Sequence, residues 1–585
     1  MRILGLSCFY HDSAACLIVD GKIIAAGAEE RFSRQKHDNR FPNLAIDYCL
    51  KESGLAINEL DAIVFYEKPI WKFDRLLHQH LQHFPKSYRA FMDTTASWMT
   101  QKLNVKKILK DELHYHGPVL FLPHHLSHAA SSYYLSGFDK SVITTIDGVG
   151  EWATTTIGVG GSDNSDKIKI HQEIRFPHSL GLLYSTLTAY LGFKVNNDEY
   201  KVMGLAAYGN PKLYQKHFQK LLRIHDDGSY SLNMKYFDYD WAQHMPSAAM
   251  AELFGHPIRE KESKIYQYHR DIAAALQDTL EKAVFNLLTK AHQRYKIDNL
   301  CLAGGVALNS VMNAKILSNT PFRKLYIPPD PSDAGGAMGA ALYVAKHPEL
   351  IGAASATSSK RVLNFAKKFS PYLGPEYSAH QVKKTLDKLE KNQPQFKAEF
   401  YPDREKFLDK VSDLLIKKKV LGWYQGRMEW GPRALGNRSI LAAATSRDMQ
   451  DILNAKVKKR EMFRPFAPVI LKEKMADFFK IDQPLPKIAD YMLVVYPFTK
   501  QGKKDIPAVV HVNGTGRPQS IARADNPLYY DLIDSYYKKT GVPVIINTSF
   551  NVRGEPIVES PKDAVNCFLG TEIDYLVMDQ WVVGK

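Results

Sequence analysis

The stretch that decides the fold is residues 142–159, VITTIDGVGEWATTTIGV. Two runs rich in β-branched residues, Val142–Ile146 and Ala153–Val159, flank the turn Asp147-Gly148-Val149-Gly150. β-Branched residues favour strands, and glycines favour the tight turn between them. The pattern therefore predicts a strand that ends at Asp147, turns, and returns beside itself.

The N-terminus has the same organisation. Strands are predicted at Ile3–Ser7, Ala15–Val19 and Lys22–Ala26, with a polar turn around His11-Asp12 and a hairpin turn at Asp20-Gly21. This recurrence predicts two related halves. A duplicated strand-turn-strand unit is what the actin/sugar-kinase/heat-shock ATPase superfold uses to hold nucleotide phosphates, although such folds host many functions.

A ligand-binding arrangement is predicted near the end of the second half. Apolar residues between Asp271 and Leu288 recur at helical spacing, which predicts a long amphipathic helix. A strand follows at Asn299–Leu302, and then Gly304-Gly305, where the missing side chains let a backbone approach a ligand. Glycine pairs at strand ends are equally common as plain turns, so this pattern alone leaves both interpretations open.

An interdomain linker is predicted from Gly352 to Tyr377, where the sequence becomes rich in Ala, Ser, Lys, Gly and Pro. Beyond it, Val420–Tyr424 and Val542–Ile546 have the apolar composition of buried strands, so the second domain is also predicted to be α/β. The predicted domains are residues 1–355 and 377–585, joined by a linker over residues 356–376.

Length and composition indicate a multidomain globular protein, because 585 residues exceed what one core usually fills and apolar residues make up 45%. No apolar run reaches the ~20 residues of a membrane-spanning helix. The five cysteines lack a close Cys-x-x-Cys pair, which predicts reduced thiols in a cytoplasmic protein. The net charge of +15 fits nucleic acid, an anionic surface or phosphate-bearing substrates.

A candidate metal site includes His124 and His128, which are four residues apart and share one face of a predicted helix. Two imidazoles at this spacing can bind one metal ion. Asp147, before Gly148, and Asp333, in a glycine-rich stretch, are candidates for the remaining ligands. Two histidines with two carboxylates suit iron or zinc, but an isolated His-x-x-x-His pair also occurs in helices that bind nothing.

The second candidate site is a basic series in the C-terminal domain. Guanidinium groups bind phosphate oxygens in a bidentate manner, and lysines add point charge. Surface salt bridges explain scattered arginines, but they explain less well arginines flanked by Gly, Pro and Trp, as in Glu429–Arg433. The series comprises Arg433, Arg438, Lys456, Lys458, Arg460, Arg464 and Arg517, followed by the polar segment Asn547–Asn551.

Taken together, these segments resemble the NodU/CmcH-type O-carbamoyltransferase family over nearly the whole chain. Several long phrases in the family's order make the resemblance more specific than any single motif. The N-terminal phrases are Phe9–Ala15, Ala28–Phe32, His124–Ala129, Glu199–Ala206 and Gly304–Asn309, and the C-terminal phrases are Trp430–Ser439, Arg464–Pro468, Thr548–Asn551 and Gly554–Pro556.

The resemblance implies a Kae1-like N-terminal domain of the duplicated ATPase superfold, joined to a YrdC-like C-terminal domain. In such enzymes the YrdC-like domain uses ATP and carbamoyl phosphate to make carbamoyl-adenylate. The Kae1-like domain then transfers the carbamoyl group to a hydroxyl of a small-molecule or saccharide acceptor, as in the biosynthesis of antibiotics and other secondary metabolites. No motif distinguishes among such acceptors.

For the N-terminal domain the resemblance implies a centre with Fe²⁺ or another divalent transition metal, which would act as a Lewis acid. It matches His11 to a histidine that faces this transfer centre and would act as general base toward the acceptor hydroxyl. The implied metal ligands are His124, His128, Asp147 and Asp333, and the implied nucleotide contacts are Gly304, Gly305 and Asn309.

For the C-terminal domain the resemblance implies a pocket whose positive charges offset the charge that develops during adenylation. Arg464 and Ser549 would take a direct part in this step. Mg²⁺ is expected with ATP, because a triphosphate requires charge neutralisation. The sequence does not decide which of Lys456, Lys458 and Lys459 faces the pocket. The implied pocket residues are Arg433, Arg438, Lys458, Arg464, Arg517, Asn547 and Ser549.

Other functions fit similar domains. A tRNA threonylcarbamoyladenosine-type enzyme would explain the basic charge, but Trp430–Ser439 and Ser549–Pro556 resemble the small-molecule carbamoyltransferases. A non-catalytic nucleotide-binding regulator would not require the intact histidine and aspartate set, and a sugar kinase would not require a second basic domain. The expected partners are therefore ATP, carbamoyl phosphate and an acceptor, without a membrane or a nucleic acid; a homodimer is one expected assembly.

Overall fold

The computed structural model describes residues 1–161, 167–352, 364–458, 464–481 and 485–585. The chain divides into two compact units. The first contains Met1–Ala26 and Asn39–Phe369, and the second contains Gly27–Asp38 and Ser370–Lys585. Residues 356–363 of the predicted linker lie outside the described residues, and the second unit begins within the rest of it.

Two five-stranded sheets form the centre of the first unit. The strands up to residue 352 are β1 (Arg2–Ser7), β2 (Ala14–Val19), β3 (Lys22–Ala28), β4 (Ala62–Phe65), β5 (Val119–Phe121), β6 (Ser141–Ile146), β7 (Ala153–Gly160), β8 (Ile168–Arg175), β9 (Leu222–Ile224), β10 (Tyr230–Leu232), β11 (Asn299–Ala303) and β12 (Lys324–Tyr326).

The two sheets have the same topology. Their strand orders are β3-β2-β1-β4-β5 and β8-β7-β6-β11-β12. In each sheet the long first strand pairs antiparallel with the next strand and parallel with the strand on its other side. The last strand is again parallel to its neighbour. The first unit is therefore built from two equivalent halves, as the recurring strand-turn-strand pattern predicts.

Helices connect and cover these sheets. The predicted helix over Asp271–Leu288 is part of a longer helix, and the strand predicted at Asn299–Leu302 extends by one residue. The helices up to residue 352 are α1 (Glu29–Ser33), α2 (Asn43–Ser53), α3 (Pro69–Gln82), α4 (Tyr88–Thr100), α5 (Val105–Leu113), α6 (His124–Ser136), α7 (Leu180–Tyr190), α8 (Glu199–Leu205), α9 (Gln215–Leu221), α10 (Ala248–Phe254), α11 (Gln267–Tyr295), α12 (Ser310–Asn319) and α13 (Asp333–Lys346).

Helices α6 and α13 occupy equivalent positions, because each follows the last strand of its half. They pack closely through Gly339 of α13, where an added Cβ atom would lie 1.8 Å from the carbonyl oxygen of Ser127 on α6. No side chain fits at that distance, so glycine is required there. This contact holds the N-terminal ends of both helices in a defined relation.

The second unit includes Gly27–Asp38 because arginines of that segment bond to its backbone. Arg34 donates to the carbonyl oxygens of Ile557 at 2.6 Å and Pro556 at 2.9 Å. Arg31 donates to the carbonyl oxygen of Gly431 at 3.0 Å. These contacts explain a segment whose position in the sequence alone would assign it to the first unit.

An eight-stranded mixed sheet is the centre of the described part of the second unit, in the order β13-β22-β21-β14-β15-β20-β16-β19. The strands beyond residue 364 are β13 (Ala398–Phe400), β14 (Leu421–Tyr424), β15 (Arg438–Ala443), β16 (Ala467–Leu471), β17 (Tyr496–Pro497), β18 (Thr515–Gly516), β19 (Gln519–Ile521), β20 (Val544–Ser549), β21 (Tyr575–Met578) and β22 (Trp581–Gly584).

The core of this unit lies between the sheet and two helices, Arg404–Ile416 and Pro527–Thr540. Phe407 and Tyr529, one from each helix, are buried in the same cluster as Trp423 and Ile545 of the sheet. Each large apolar side chain buried in this way stabilises the fold by about 1.5–3 kcal/mol. The helices are α14 (Ala379–Asn392), α15 (Arg404–Ile416), α16 (Asp448–Ile452), α17 (Met475–Phe478), α18 (Lys500–Asp505), α19 (Pro527–Thr540) and α20 (Pro561–Leu569).

Both units are α/β, and the first has the duplicated strand order, which confirms the predicted fold class. The strands predicted at Val420–Tyr424 and Val542–Ile546 are β14 and β20, each displaced by one to three residues. A run of apolar residues identifies each strand in the sequence, whereas the turn residues beside it define its first and last residues less sharply.

Candidate functional site

Four buried side chains meet where α6 and α13 begin. His124 and His128 lie one helical turn apart on α6, and their Nε2 atoms are 3.1 Å apart. Asp147 Oδ2 lies 2.9 Å from the first of these atoms and 3.5 Å from the second. Asp333 Oδ1 lies 3.6 Å and 3.4 Å from them. One ligand atom from each residue falls within 4.8 Å of all the others, so the group can hold a metal ion.

The two halves of the unit contribute to this site from equivalent positions. His124 and Asp333 are the first residues of α6 and α13. Asp147 follows β6, and His11 lies in the turn that follows β1. The pseudo-symmetry thus brings two strand ends and two helix N-termini to one point.

The residues present fit a divalent transition metal. Both carboxylate oxygens of Asp333 are buried and accept no hydrogen bond from any described residue. Although burial lowers the pKa of His128, the nearby carboxylates of Asp147 and Asp333 raise it to about 9. Burial raises the pKa of Asp147, but the two histidines hold it well below its usual range. Protons on imidazole thus balance the carboxylates here, and a cation ligated by imidazole and carboxylate can replace them.

The four residues His124, His128, Asp147 and Asp333 are called the metal group below. His125 is not part of it, although it lies between His124 and His128 in the sequence. Its Nε2 bonds to the carbonyl oxygen of Ala153 at 2.8 Å, and its Nδ1 bonds to the hydroxyl of Thr145 at 2.6 Å. Burial, followed by the charge of His124, lowers the pKa of His125 to about 3. It is therefore a neutral residue that fixes α6 against β6 and β7.

Three charged residues support the metal group, and the sequence analysis did not identify them. Glu151 accepts the backbone N–H groups of His124 at 2.9 Å and of Lys68 at 2.8 Å, which joins the beginnings of α6 and α3. Glu67 lies 3.8 Å from His124 Nδ1 and pairs with Lys72 at 2.6 Å. Of these three residues, only Glu151 lies near a sequence motif. It directly follows the glycine-rich turn, and that position could have identified it as a candidate site residue.

His11 faces the metal group through Asp333, and its role as a general base stays a prediction. Its Nδ1 lies 2.9 Å from Asp12 Oδ2, and its Nε2 lies 3.8 Å from Asp333 Oδ2. Burial lowers the pKa of His11, but the Asp333 carboxylate and the Asp12 hydrogen bond outweigh it and raise the pKa to about 10. Asp12 therefore orients the ring so that Nε2 points toward the metal group, a role that sequence analysis did not assign.

The predicted nucleotide contacts of the first unit make internal bonds. The N–H of Gly305 donates to Asp147 Oδ1 at 2.9 Å, and the N–H of Gly304 donates to the Pro331 carbonyl at 2.8 Å. Gly304 has φ +91°, and an added Cβ atom would lie 2.3 Å from the carbonyl oxygen of Ile146. Asn309 caps α12 and exchanges two hydrogen bonds with Gln277. Their contact with a nucleotide stays a prediction.

In the second unit, several of the predicted basic residues lie beside the ends of neighbouring strands, on one side of the sheet. β15 and β20 are antiparallel, and Ser439, next to Arg438, pairs with Ser549. β16 is antiparallel to β20 and parallel to β19. Arg464 and Arg517 lie just before β16 and β19, so they approach the edge at which Ser549 ends β20.

Arg438 and Lys458 are held by oxygen atoms of the protein. The Arg438 guanidinium is fully buried and donates to five backbone carbonyls, those of Gln425, Gly426, Asn437, Glu559 and Pro375. Lys458 Nζ donates to the backbone and side-chain oxygens of Ser549 and Asn551. The side chain of Lys456 and the whole of Lys459 lie outside the described residues.

A network of buried side chains holds the loop that carries Arg433. Glu429 Oε1 accepts the backbone N–H groups of Leu435, Asn437 and Arg438 at 2.7–3.1 Å. Asn547 donates to the Ala434 carbonyl and to Gln519, and Gln519 donates to the Leu435 carbonyl. Asn547 is thus a positioning residue here. Glu429 and Gln519 share this role, which no motif announced.

Two family models cover most of the chain. The model described as carbamoyltransferase N-terminus matches residues 2–342, and the model described as carbamoyltransferase C-terminus matches residues 412–585. The chain belongs to the carbamoyltransferase family. This membership confirms the resemblance found in the sequence and supports a transferase.

Relatives within the carbamoyltransferase family match the chain over its length. An uncharacterized protein of Synechocystis is 43% identical and covers 100% of this chain and 97% of its own. Nodulation protein NolNO of Sinorhizobium fredii is 35% identical over 99% of this chain and 79% of its own. Nodulation protein NolO of Bradyrhizobium diazoefficiens is 37% identical over 79% of this chain and 78% of its own.

Solved structures similar to this carbamoyltransferase-family chain match it at low TM-scores. The activator of 2-hydroxyisocaproyl-CoA dehydratase from Clostridium difficile has a TM-score of 0.32 at 13% identity and covers 62% of this chain and 99% of its own. HypF of T. kodakarensis has a TM-score of 0.32 at 15% identity and covers 60% and 48%. None of the helices in the described ranges has the length and apolar content that crossing a bilayer requires.

Proposed function

We propose that the chain is an ATP-dependent O-carbamoyltransferase that makes carbamoyl-adenylate in its second unit and transfers the carbamoyl group to an acceptor hydroxyl in its first unit. The observation that carries the proposal is the buried His124, His128, Asp147 and Asp333 group, faced by His11, in a chain of the carbamoyltransferase family.

In the first half-reaction ATP, carbamoyl phosphate and water give carbamoyl-adenylate, pyrophosphate and inorganic phosphate. Water cleaves the phosphate–oxygen bond of carbamoyl phosphate and leaves carbamate and inorganic phosphate. A carbamate oxygen then forms a bond to the α-phosphorus of ATP, and the bond from that phosphorus to pyrophosphate breaks. Arg464 and Arg517 approach the sheet at the strand end that carries Ser549, and Arg433 precedes Ala434, whose carbonyl accepts a hydrogen bond from Asn547 of the same strand. The charges of these arginines suit the phosphates of both substrates. Mg²⁺ would accompany ATP as the counterion of the triphosphate.

Within this pocket the two buried cations have separate tasks. Arg438 fixes five carbonyls of the loops around the pocket, so we assign it a positioning role and not a phosphate contact. Lys458 binds Ser549 and Asn551, and it can turn to a phosphate only by exchanging those oxygens for the substrate's. Electrostatic positioning of this kind supplies most of the catalysis of phosphoryl chemistry.

In the second half-reaction the acceptor oxygen attacks the carbamoyl carbon, and the bond to the AMP phosphate oxygen breaks. Against the effect of burial, the Asp333 charge raises the pKa of His11, and a cation held by Asp333 would offset that charge, so that the neutral ring could receive the hydroxyl proton at Nε2 while Nδ1–H donates to Asp12. A divalent transition metal, held by His124, His128, Asp147 and Asp333, would supply Lewis-acid polarisation at this centre. The burial of the group excludes water, which would otherwise hydrolyse the adenylate.

The test is incubation of the full chain with ATP, Mg²⁺ and carbamoyl phosphate, without an acceptor, followed by mass spectrometry for carbamoyl-adenylate and an assay for pyrophosphate. Both products are expected. Arg464→Ala should lose both by at least about 10²-fold, because it removes a charge from the phosphate pocket. Arg523→Ala, at an arginine that is 70% exposed and paired with Asp531, is the matched control and should retain both.

Failure to form either product while ATP still binds would overturn the carbamoyl-adenylate mechanism. Threonine with bicarbonate would then be the next substrate pair to assay, as a tRNA threonylcarbamoyladenosine-type enzyme requires. If both products form, screening of hydroxyl compounds, beginning with saccharides, identifies the acceptor through mass spectrometry of the carbamoylated product.

A further inference from the structure

Helix α3 begins next to the metal group, and two of its buried side chains, Lys72 and Arg75, are cationic. Glu151 bonds to the backbone N–H groups of both Lys68, just before α3, and His124. Lys72 and Arg75 follow on α3, three residues apart, and both are buried. Residues at this spacing lie on the same helix face, and Lys72 pairs with Glu67, which lies 3.8 Å from His124 Nδ1.

The two cations differ in their partners. Lys72 Nζ pairs with Glu67 Oε2 at 2.6 Å. Arg75 is only 5% exposed, yet its guanidinium forms no ion pair with any carboxylate of the described residues. Its Nη1 has one long hydrogen bond, 3.5 Å, to Gln79, and its Nε has no hydrogen-bond partner in the described part of the unit. The ring of Phe176 lies 4.9 Å from its Cζ atom.

A buried guanidinium in this condition is costly to the folded state. Burial lowers the pKa of Arg75 to about 10, against the opposing charges of Tyr10, Glu67 and Glu151. An unpaired charge that is removed from water destabilises a protein, whereas a paired and fully hydrogen-bonded one does not. Arg75 therefore has the donors and the charge for an anion that the folded chain itself does not supply.

The position of Tyr10 links Arg75 to the metal group. Burial raises the pKa of Tyr10; Lys72 and Arg75 lower it, and Asp333 and Asp147 raise it. Lys72 Nζ lies 4.3 Å from the centre of the Tyr10 ring. The ring also lies beside that of His11, with centroids 5.0 Å apart. Tyr10 therefore contacts both Lys72 of α3 and His11, which faces Asp333 of the metal group.

We propose that Arg75 binds an anionic group, a phosphate or a carboxylate, of the substrate that occupies the metal centre. The planar fork of a guanidinium binds both oxyanions in the same bidentate geometry. Tyr10 contributes a hydroxyl donor on the side of His11. The identity of the substrate rests on the proposed function: the anion is the phosphate of carbamoyl-adenylate or an acidic group of the acceptor.

The test is titration of the full chain with inorganic phosphate, followed by isothermal calorimetry and ³¹P NMR to count bound phosphates. Arg75→Met should bind one phosphate fewer per chain than the wild type. Arg89→Met, which removes an exposed arginine from α4, is the matched control and should bind as many as the wild type. Arg75→Lys keeps the charge without the planar fork and should bind the same phosphate about tenfold more weakly.

Thermal unfolding in phosphate-free buffer separates a ligand site from a structural arginine. Arg75→Met should melt no lower than the wild type, because it removes an unpaired buried charge. Equal phosphate counts in the wild type and both variants, including no binding by any of them, would overturn the proposal. If the counts are equal and both Arg75→Met and Arg75→Lys also melt at a lower temperature than the wild type, Arg75 has a structural role instead.

Competition identifies the source of the anion. Displacement of the Arg75-dependent phosphate by AMP assigns the site to the nucleotide, and displacement by glucuronate but not AMP assigns it to an acidic acceptor. Carbamoyl-adenylate formation should be unchanged in Arg75→Met, because that step belongs to the second unit. The phosphate count does not depend on adenylation, so failure of this proposal and failure of the proposed function give different results.

Discussion

The Nε2 atoms of His124 and His128 lie 3.1 Å apart. At this distance the two atoms cannot both carry a hydrogen directed at the other ring. The carboxylates of Asp147 and Asp333 lie beside the pair, at 2.9 Å from His124 Nε2 and 3.4 Å from His128 Nε2. A metal ion relieves this arrangement, because imidazole ligates as the neutral ring while the carboxylates remain charged. The site is therefore complementary to a cation.

Replacement of Asp333 by Ala should abolish metal binding, because it removes a buried ligand that no described group satisfies. Metal analysis of the purified chain should find a single transition-metal ion in the wild type and none in the variant. A chelator should lower the melting temperature of the wild type but not that of the variant. His125→Asn is the control on the same helix: it should retain the ion, and loss of metal in this variant would contradict the assignment of ligands.

Replacement of His11 by Gln should stop the transfer step and spare adenylation. A positioned general base accelerates proton transfer by about 10²- to 10⁴-fold, and that factor should be lost from transfer to any hydroxyl compound the wild type accepts. Carbamoyl-adenylate should accumulate. Asp12→Asn should reduce transfer less, because the ring remains but its orientation weakens. Equal losses of adenylate formation and transfer in His11→Gln would argue against the base.

Arg438→Met and Arg517→Met should have opposite consequences, although both remove an arginine near the same sheet edge. Arg438 satisfies five buried carbonyls, so its loss should lower the free energy of unfolding by about 3–5 kcal/mol. Arg517→Met should fold as the wild type and lose pyrophosphate release. Denaturant unfolding and the pyrophosphate assay separate the two; a stable Arg438→Met variant without adenylation would instead make Arg438 a substrate contact.

His269 should make the first unit sensitive to acid. Its Nδ1 accepts the Tyr266 backbone N–H at 2.9 Å, and burial, followed by Arg259 and His256, lowers its pKa to about 4. Between pH 6.5 and 4 the unfolded chain binds a proton at this residue and the folded chain does not. The free energy of unfolding should therefore fall as pH falls through this window, by up to about 3 kcal/mol.

The variant that tests this is His269→Asn, which keeps an acceptor for the Tyr266 N–H and removes the titrating ring. Its melting temperature should fall less than that of the wild type between pH 7 and pH 5. Replacement of the exposed His171 by Asn is the control and should leave the wild-type difference in place. An unchanged difference in His269→Asn would show that other groups cause the acid sensitivity.

The sequence predicts the duplicated halves, and it names the four residues that the structure brings together as candidate metal ligands, because these signals are local. β1 and β6 are each followed at once by their turn, and the spacing of His124 and His128 places both on one helix face without knowledge of the fold. The family resemblance was needed to choose between a ligand pair and a packed pair. Asp147 and Asp333 could be named as candidates only because Asp147 precedes Gly148 and Asp333 lies two residues before Gly335.

The residues that the sequence did not reveal act through tertiary contacts. Glu67, Lys72 and Arg75 lie in a segment whose pattern is compatible with ordinary helix packing, and only the approach of α3 to α6 brings them to the metal group. Arg438 illustrates the converse. Phosphate oxygens and backbone carbonyls are both hydrogen-bond acceptors, so an arginine among glycines and prolines has the same sequence environment whichever it binds.

The close packing of α6 and α13 at Gly339 has a consequence for folding. The four candidate ligands span residues 124 to 333, and they come together only when both halves of the unit have formed and docked. Neither half alone presents the complete donor set. Metal occupancy would therefore be an internal reporter of the integrity of the whole unit: an ion that stays bound would mark a chain whose halves remain joined, and metal release should coincide with global unfolding, not with local fraying.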